Sequence, residues 1–567
     1  MTTRATAFAK GIILDGYVDE PTALGVPPYL SPYPRYVAGV FALAEVPYRY
    51  MTVDAWRRDP ALQEAVRADG QTLVVVVSGL TVPGHYRGGT PITLTELSKV
   101  AEASFGRVMI GGPIRHGYTM TGGTAAVGVE GLAGGNIVVG DLDEAVARVL
   151  AGKEPGRPAR PLAAMARRAI AGAGIVEQHP NFPHIICEIE SARGCEREEH
   201  CSFCTEGLQD GLDFRTHEAI VGEIEALAAR GANHFRLGKQ PNFFAWPGRR
   251  LPDGTIGPDP EAIDALYRDI RRVAPHLKTL HIDNVNPGFV AAHPDECLDI
   301  ARTIATYNTS GDVAAMGVES LDPMVISRNR LKSSPEASLR AIRIINQAGR
   351  GRRDRGLPDL LPGINLLYGL PGESTATYAT NMAFLEGLLA ENLLVRRINV
   401  RQVMVFPGTP LHDWSGGREP KLNKARFKRF KRRLFEVVER PMLEQVAPVG
   451  TILRGVVPEF RDGDVTFGRQ PASYPLLVGI PFVLELGRAI DVMVVGHGFR
   501  SVTGLPWPVA VNSMPEKGWS ALPGVGQKRA RRIRAAAPFG GFSELLACLD
   551  EPAVLASFAE DLDFSGP

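Results

Sequence analysis

The chain has 567 residues, of which 44% are hydrophobic and 22% charged, and its formal net charge at pH 7 is +1. This length exceeds what one hydrophobic core supports, so we expect three or four domains of an ordinary soluble globular protein. We expect neither a secretory signal nor a membrane-spanning helix, because the apolar runs over 11–14 and 72–80 are far too short. Six cysteines in so long a chain, three of them clustered, predict a reducing, cytoplasmic location.

Residues 1–155 alternate between strand-like and helix-like segments. Short apolar runs bounded by glycine predict buried parallel strands over 11–14, 72–77 and 108–112, with helices over 37–45 and 94–103 between them. This pattern indicates a doubly wound, Rossmann-like α/β domain, and its outline resembles a cobalamin-binding domain. His85 and Gly88 match part of the corrin-ligating pattern Asp-x-His-x-x-Gly, but Pro83 stands at the aspartate position, so we do not expect cobalamin to bind.

Residues 156–180 predict a linker, and residues 181–440 then resume the alternation of strands and helices. One predicted helix runs over 217–230 and stops at Gly231, and another starts at Pro335 after the N-cap Ser334 and ends at Gly349. Strands are predicted directly before Cys195 and over 233–238, 279–283, 314–319, 364–369 and 398–406. Six strands suit an open (β/α)6 barrel of the TIM type, whose catalytic groups lie at the carboxyl ends of the strands.

Half of the chain's six cysteines lie within ten residues, at Cys195, Cys201 and Cys204. So few cysteines in so long a chain do not indicate a disulfide framework, whereas thiolates at this kind of spacing hold iron–sulfur clusters. Three thiolates leave one iron open to a small molecule. The alternative is a tetrahedral zinc site completed by His200 or Cys187, although Cys187 is better interpreted as a buried strand residue.

The cysteines and the segments after them resemble the radical S-adenosylmethionine (radical SAM) superfamily. The spacing here is C-x5-C-x2-C, where the commonest family spacing is C-x3-C-x2-C. Later segments match the family in order: Gly238-Lys-Gln240-Pro, Gly317-Val-Glu319-Ser320, Asn329-Arg330, Gly369-Leu-Pro-Gly-Glu373 and Pro407-Gly-Thr-Pro-Leu411. The resemblance implies a partial TIM-type barrel that binds a [4Fe-4S] cluster and S-adenosyl-L-methionine (SAM).

By the same resemblance, Phe203 would lie beside the SAM adenine, Gln240 would accept a hydrogen bond from the SAM amino group, and Glu319 would reach the ribose or the amino group. The other SAM-binding residues that it implies are Gly238, Ser320, Arg330, Gly369 and Glu373. The implied reaction is one-electron cleavage of SAM to a 5′-deoxyadenosyl radical, with a reductant such as ferredoxin or flavodoxin. The residues that act on the substrate are not indicated.

Residues 441–512 consist of short strand-like runs and predict a small β-barrel that loosely resembles TRAM-type or OB-like domains. Residues 513–567 are helical, and the segment 522–533 resembles a helix–hairpin–helix motif. In such a motif the hairpin glycines let backbone N–H groups approach a phosphate, which favours nucleic acid as the partner, although such hairpins also mediate protein contacts. The predicted nucleic-acid contacts are Gly524, Gly526, Lys528 and Arg529.

A second basic segment lies on a probable helix over 421–433, where Phe427, Phe430 and Leu434 would seat the helix and basic residues would face outward. A solvated face is the usual meaning of such a run, but the neighbouring β-barrel makes RNA contact more attractive.

The whole architecture resembles a mainly archaeal group of radical SAM enzymes with a C-terminal helix–hairpin–helix motif. The leading hypothesis is therefore a radical SAM enzyme that modifies a nucleic acid, with RNA favoured. One alternative directs the same chemistry at a small molecule or peptide, and another is a non-catalytic nucleic-acid-binding protein with a structural metal site. A methylthiotransferase is disfavoured, because residues 1–155 contain no cysteine for a second cluster.

Overall fold

The computed structural model describes residues 8–19, 28–67, 70–82, 84, 88–104, 107–129, 136–157, 159–209 and 211–565. Pro83 and His85, which bear on the corrin-ligating pattern, lie outside these residues. The protein is of the mixed α/β class with parallel sheets, as the sequence predicts. The domain boundaries stay predictions, because one continuous hydrophobic core contains residues as far apart as Ile13, Leu280 and Val494.

The first sheet has four parallel strands, in the spatial order Tyr48–Thr52, Lys10–Asp15, Thr72–Val77 and Val108–Gly111. Successive side chains of these strands point to opposite faces of the sheet and pack into two different hydrophobic cores. Ile13 and Val75 belong to one core, and Ile12 and Val74 belong to the other. Helices therefore cover both faces, as in a doubly wound domain. These helices are Pro32–Leu43, Val53–Arg58, Pro60–Val66, Leu94–Ala103 and Leu142–Leu150.

Two further four-stranded parallel sheets contain the six strands predicted for the central region. One has the order Thr279–Ile282, His234–Gly238, Ile186–Glu190 and Tyr29–Leu30, and the other has the order Asn284–Val285, Asp312–Glu319, Leu360–Tyr368 and Arg397–Gln402. The two sheets meet at Asp283, the residue between the strands Thr279–Ile282 and Asn284–Val285. The strands therefore follow one another in chain order, as a (β/α)6 arrangement requires. The edge strand Tyr29–Leu30 is not predicted by the sequence.

The helices of this region begin with conventional caps. Thr216 caps His217–Ala228, and Ser334 caps Pro335–Gly349, which has proline at its first position. The other helices of the region are Leu162–Ala171, Pro260–Val273, Pro287–Ala292, Pro294–Tyr307, Pro323–Asn329, Thr375–Ala390, Pro410–Ser415, Lys424–Leu434 and Arg440–Val446.

The C-terminal part begins with a closed five-stranded barrel, in the order Ile452–Asp462, Val465–Arg469, Leu477–Ile480, Ser501–Pro506 and Ile490–His497. The helices Glu516–Ala521, Gly526–Ala536 and Phe542–Ala547 follow, and Leu562–Asp563 pairs with Val509–Ala510. Two-residue strands also pair at Ala192–Arg193 with Asp213–Phe214 and at Arg249–Arg250 with Ile256–Gly257. Among the described residues, no helix has both the length and the apolar character needed to span a bilayer.

A buried ion-pair network fixes the helix Pro32–Leu43 against the central region. Arg35 Nε lies 2.5 Å from Glu223 Oε1, and both side chains are fully buried. Arg215 binds the other oxygen of Glu223, and Arg35 Nη2 donates to the carbonyl of Glu188 at 2.5 Å. Burial favours the neutral form of Glu223, but the two guanidinium groups outweigh it and hold the pKa of this carboxyl below its usual value.

We expect Glu223→Gln to destabilise the protein by about 3–5 kcal/mol, because it leaves two buried guanidinium groups without a carboxylate. Within the described chain, Arg35 Nη1 and Arg215 Nε already have no hydrogen-bond partner. The measurement is the midpoint of urea unfolding. The matched control is Glu386→Gln, which removes an exposed pair with Arg433 and should change stability by less than about 0.5 kcal/mol. Equal effects of the two changes would contradict this account of the network.

Candidate active site

A cavity of about 890 Å³ lies where the three parts of the chain meet. Its lining comes from the carboxyl ends of the first sheet, from the loops that follow the central strands, and from the C-terminal barrel. Representative residues of these three walls are Asp15 and Ser78, Gln240 and Glu319, and Tyr474 and Arg500. The position at the carboxyl ends of parallel strands is where active sites of such folds form.

The loop with the three cysteines follows the strand Ile186–Glu190 and is tied down by Asn329. The backbone N–H of Ser202 donates to the carbonyl of Asn329 at 3.0 Å, and the Ser202 hydroxyl donates to Asn329 Oδ1 at 2.7 Å. Asn329 Nδ2 in turn donates to the carbonyls of Val325 and Pro371, both at 2.8 Å. Asn329 therefore links the cysteine loop to the ends of the fourth and fifth central strands.

Burial makes the thiolate form of the cysteines unfavourable. It raises the pKa of Cys195 and Cys204 to about 12 and also raises the pKa of Cys201. Lys332 opposes this effect at all three thiols. Arg197 also lies close, since its Nη1 is 3.3 Å from the Sγ atom of Cys201. Because a metal deprotonates the thiols that it binds, a metal centre would supply the positive charge that these groups still lack.

The described residues contain no group of three or more His, Cys, Asp or Glu side chains arranged around a single metal ion. Cys187 lies in the strand Ile186–Glu190 and is fully buried in the core, and His200 packs against the Gly207 turn. The tetrahedral zinc alternative needs four ligands around one point. The three thiolates of a [4Fe-4S] cluster bind different irons and do not have to converge in that way, and thiolates are the ligands that such clusters take.

Phe203, Gln240 and Glu319 line the cavity together with Cys204, although they follow three different strands. Gln240 is 4% exposed, and within the described chain its Oε1 atom has no hydrogen-bond partner. An unpartnered buried oxygen is costly, and this one faces a cavity. The predicted acceptor for the SAM amino group is therefore free to accept a hydrogen bond from a ligand.

Glu319 lies beside Lys332 in a strained turn. Its backbone has a φ of 63°, which non-glycine residues rarely adopt, and such strain clusters at functional sites. Burial raises the pKa of Glu319 to about 7, against the opposing effect of Lys332 and Arg401. A Cβ atom at Gly317 would lie 2.8 Å from Glu319 Oε1 and 3.0 Å from Lys332 Nζ, so a larger residue here would displace the ends of these two side chains.

The other predicted SAM-binding residues are not among the described residues that line the cavity. A Cβ atom at Gly238 would lie 2.7 Å from Glu188 Oε1, and the Ser320 hydroxyl accepts from the backbone N–H of Asp322 at 3.2 Å. The backbone N–H of Gly369 donates to Glu373 Oε2 at 2.5 Å. Arg330 is exposed and uses its carbonyl to accept from Arg197. These residues shape the turns around the cavity.

At the predicted hairpin, Gly524 and Gly526 have φ values of 81° and 61° and connect two short helices. Arg529 forms ion pairs with Asp550 at 2.7 Å and Glu551 at 2.8 Å. Lys528 is exposed and takes part in no ion pair between described residues. Much of the positive charge predicted to meet nucleic acid is therefore already compensated within the chain, with Arg531 and Arg532 likewise paired to carboxylates.

Sequence reasoning missed Lys332 and Arg197. Arg197 lies in the enlarged loop between the first two cysteines, so the two extra residues of the spacing were a signal for it. Lys332 stands two residues after the Asn329-Arg330 pair, and no pattern in the sequence distinguishes it from a surface lysine.

No protein-family model matches the chain. It is 40% identical to an uncharacterized protein of Archaeoglobus fulgidus over 95% of this chain and 97% of that protein, and 39% identical to the uncharacterized protein MJ0274 of Methanocaldococcus jannaschii over 88% and 93%. It is 25% identical to the ribosomal protein uS12 methylthiotransferase RimO of Syntrophotalea carbinolica over 36% of this chain and 40% of that one. Among solved structures, the chain is similar to the radical SAM methyltransferase TsrM of Kitasatospora setae with cobalamin and a [4Fe-4S] cluster bound. The TM-score is 0.47 at 16% identity, and the match covers 71% of this chain and 77% of that chain.

We expect Asn329→Ala to loosen the cysteine loop, because it removes three side-chain hydrogen bonds, and to destabilise the protein by about 2–3 kcal/mol. In metal-free protein, Cys201, which is 5% exposed, should then be alkylated faster by iodoacetamide, as followed by mass spectrometry. Arg330→Ala is the matched control, since the Arg330 side chain is exposed and its backbone carbonyl is kept. Unchanged protection of Cys201 in Asn329→Ala would show that Asn329 does not hold the loop.

Proposed function

We propose that this chain is a radical SAM enzyme that modifies a nucleic acid. The chain belongs to the same family as the Archaeoglobus fulgidus and Methanocaldococcus jannaschii proteins. The observation that carries the proposal is the arrangement of three separately predicted segments, those of Cys204, Gln240 and Glu319, around one cavity. The fold brings the loops after these strands to one edge, and the three matched segments supply a thiol, an amide oxygen and a carboxylate to the cavity there.

Cys195, Cys201 and Cys204 hold a [4Fe-4S] cluster in this proposal. When bound, the cluster supplies one electron to SAM, whose C5′–S bond breaks to give methionine and a 5′-deoxyadenosyl radical. Lys332 and Arg197 stabilise the thiolate charge and fix the loop. A one-electron donor such as ferredoxin or flavodoxin restores the reduced state. The chain itself binds and orients the reactants and excludes water.

Phe203 would lie beside the SAM adenine in the cavity, and the unpartnered Oε1 atom of Gln240 would accept a hydrogen bond from the SAM amino group. Glu319, next to Lys332, would accept from the ribose or the amino group. Gly238, Ser320, Arg330, Gly369 and Glu373 support these contacts through the turns that they form. The helix–hairpin–helix assignment, with Gly524, Gly526, Lys528 and Arg529 as contacts, stays a prediction, because Asp550 and Glu551 already compensate the charge of Arg529.

A second candidate is a radical SAM enzyme that acts on a protein. The relative named as a ribosomal protein uS12 methylthiotransferase favours it, although that match spans 36% of this chain. RNA stays the first choice because the exposed charge near the cavity is basic and comes with the exposed aromatic side chain of Phe499, a combination typical of single-strand binding.

Anaerobic reconstitution tests the proposal. We expect about four irons per chain, and formation of 5′-deoxyadenosine when SAM and dithionite are added. The Cys201→Ala variant should lose both, whereas Cys297→Ala, which changes a buried cysteine outside the loop, should keep both. One zinc and no 5′-deoxyadenosine would instead support the non-catalytic metal-binding protein.

We expect Gln240→Leu to weaken SAM binding about tenfold, because the leucine side chain has a similar size but lacks the buried hydrogen-bond acceptor. Gln240→Glu should bind SAM at least as tightly as the wild type, since a carboxylate accepts more strongly than an amide oxygen from the N–H groups of the iron-bound amine. Isothermal titration with SAM under anaerobic conditions measures both. Equal affinity of the leucine variant and the wild type would remove Gln240 from the site.

A further inference from the structure

One face of the helix Lys424–Leu434 carries a row of basic side chains, which we term the basic stripe: Lys424, Lys428, Lys431 and Arg432. Lys424, Lys428 and Arg432 follow one another at intervals of four, and Lys431 lies three positions after Lys428, so each of them has a neighbour of the stripe on the helix surface. None of the ion pairs between described residues involves any of them, whereas the neighbouring Arg433 pairs with Glu386 at 2.8 Å. Like charges at this spacing destabilise a helix, so the stripe does not serve stability.

The basic stripe leads into the cavity. Lys431 lines the cavity together with Phe427 and Leu434, which lie on the adjacent part of the same helix face. Arg500, from the C-terminal barrel, lies within electrostatic reach of Lys431 and also lines the cavity. Among the described residues, the acidic group that faces this pair is Glu439, which pairs with Arg500 at 3.1 Å and compensates its charge. Lys431 therefore carries the positive charge of the basic stripe to the cavity mouth.

Further inside, Arg401 lines the cavity, and no hydrogen bond or ion pair between described residues involves its guanidinium group. It lies within electrostatic reach of Glu319, the predicted SAM-binding residue, and of Arg397, which stacks on the Tyr474 ring at 4.9 Å. A guanidinium group without a partner in such a place is suited to bind a phosphate or carboxylate of a ligand.

Aromatic side chains accompany these charges at the cavity mouth. Phe499 is 69% exposed, and its ring centroid lies 3.8 Å from that of Phe435; both residues line the cavity. Basic groups that follow a backbone, combined with exposed aromatic rings on which bases stack, are the features of single-stranded nucleic-acid sites. An acidic polypeptide would satisfy the charges but would leave the exposed ring of Phe499 without a function.

We propose that the basic stripe is the path of a single-stranded nucleic acid whose phosphates bind Lys424, Lys428 and Arg432 and whose target nucleotide enters the cavity past Phe499 toward Arg401. Its role as substrate rests on the function proposed above, whereas its binding does not. The proposal assigns the main phosphate contacts to this helix and not to the hairpin over 522–529, where carboxylates already neutralise Arg529.

The test compares two triple variants of the full-length, cluster-loaded protein. K424A/K428A/R432A removes three positive charges from the basic stripe, and K528A/R531A/R532A removes the same number from the helix Gly526–Ala536. Fluorescence anisotropy with a labelled single-stranded RNA of mixed sequence measures binding, without SAM or reductant. Circular dichroism and iron content verify that each variant is folded and loaded.

We expect the stripe variant to bind RNA at least about tenfold more weakly, and its plot of log affinity against log salt to be less steep by about 2, because three phosphate contacts are lost. The hairpin variant should stay within about twofold of the wild type. The conservative variant K424R/K428R/R432K should bind like the wild type, since it keeps the charge.

Retained affinity in the stripe variant, or a larger loss in the hairpin variant, would overturn the proposal. So would binding of polyglutamate as tight as that of RNA, which would identify an acidic polypeptide as the ligand. A single-stranded DNA of the same sequence shows whether the 2′-hydroxyl contributes, and weaker DNA binding favours RNA. Because 5′-deoxyadenosine formation is measured separately, failure of this proposal and failure of the radical SAM assignment are distinguishable.

Discussion

The three cysteine thiols lie in a buried loop, and the positive charge needed to hold them as thiolates governs the arrangement around them. Burial raises the pKa of each thiol, and Lys332 and Arg197 compensate this effect only in part. Lys332 also lies within electrostatic reach of Glu319, so the same amine acts on the cysteine loop and on the fourth-strand turn. In this account, the remaining positive charge comes from iron.

The parallel strands bring these side chains together at one place. Because their carboxyl ends meet at a common edge, loops that are distant in sequence, such as those of Cys204 and Glu319, come to line one cavity. The first sheet and the C-terminal barrel close the remaining sides. Asn329 then fixes the cysteine loop through its hydrogen bonds, and Gly317 and the left-handed Glu319 shape the fourth-strand turn beside it.

The sequence predicted the elements whose signals are local. Continuous apolar runs identified the buried strands, and Ser334 before Pro335 identified a helix start. The strand Tyr29–Leu30 was missed because two residues carry no periodicity, and Lys332 was missed because its role depends on contacts with distant residues. At the predicted hairpin the sequence shows the basic residues but not their partners. Asp550 and Glu551, which neutralise Arg529, lie about twenty residues further along the chain, and no local pattern connects them to it.

The central claim is that three thiolates of this chain hold a cluster with one iron open to SAM. Electron paramagnetic resonance of the reduced, reconstituted protein tests it most directly, with spectra recorded before and after SAM is added. The account predicts that SAM changes the g-values of the cluster signal, because its amino and carboxylate groups bind the open iron. A spectrum that SAM leaves unchanged would mean that a fourth side chain occupies that iron, and would contradict the account.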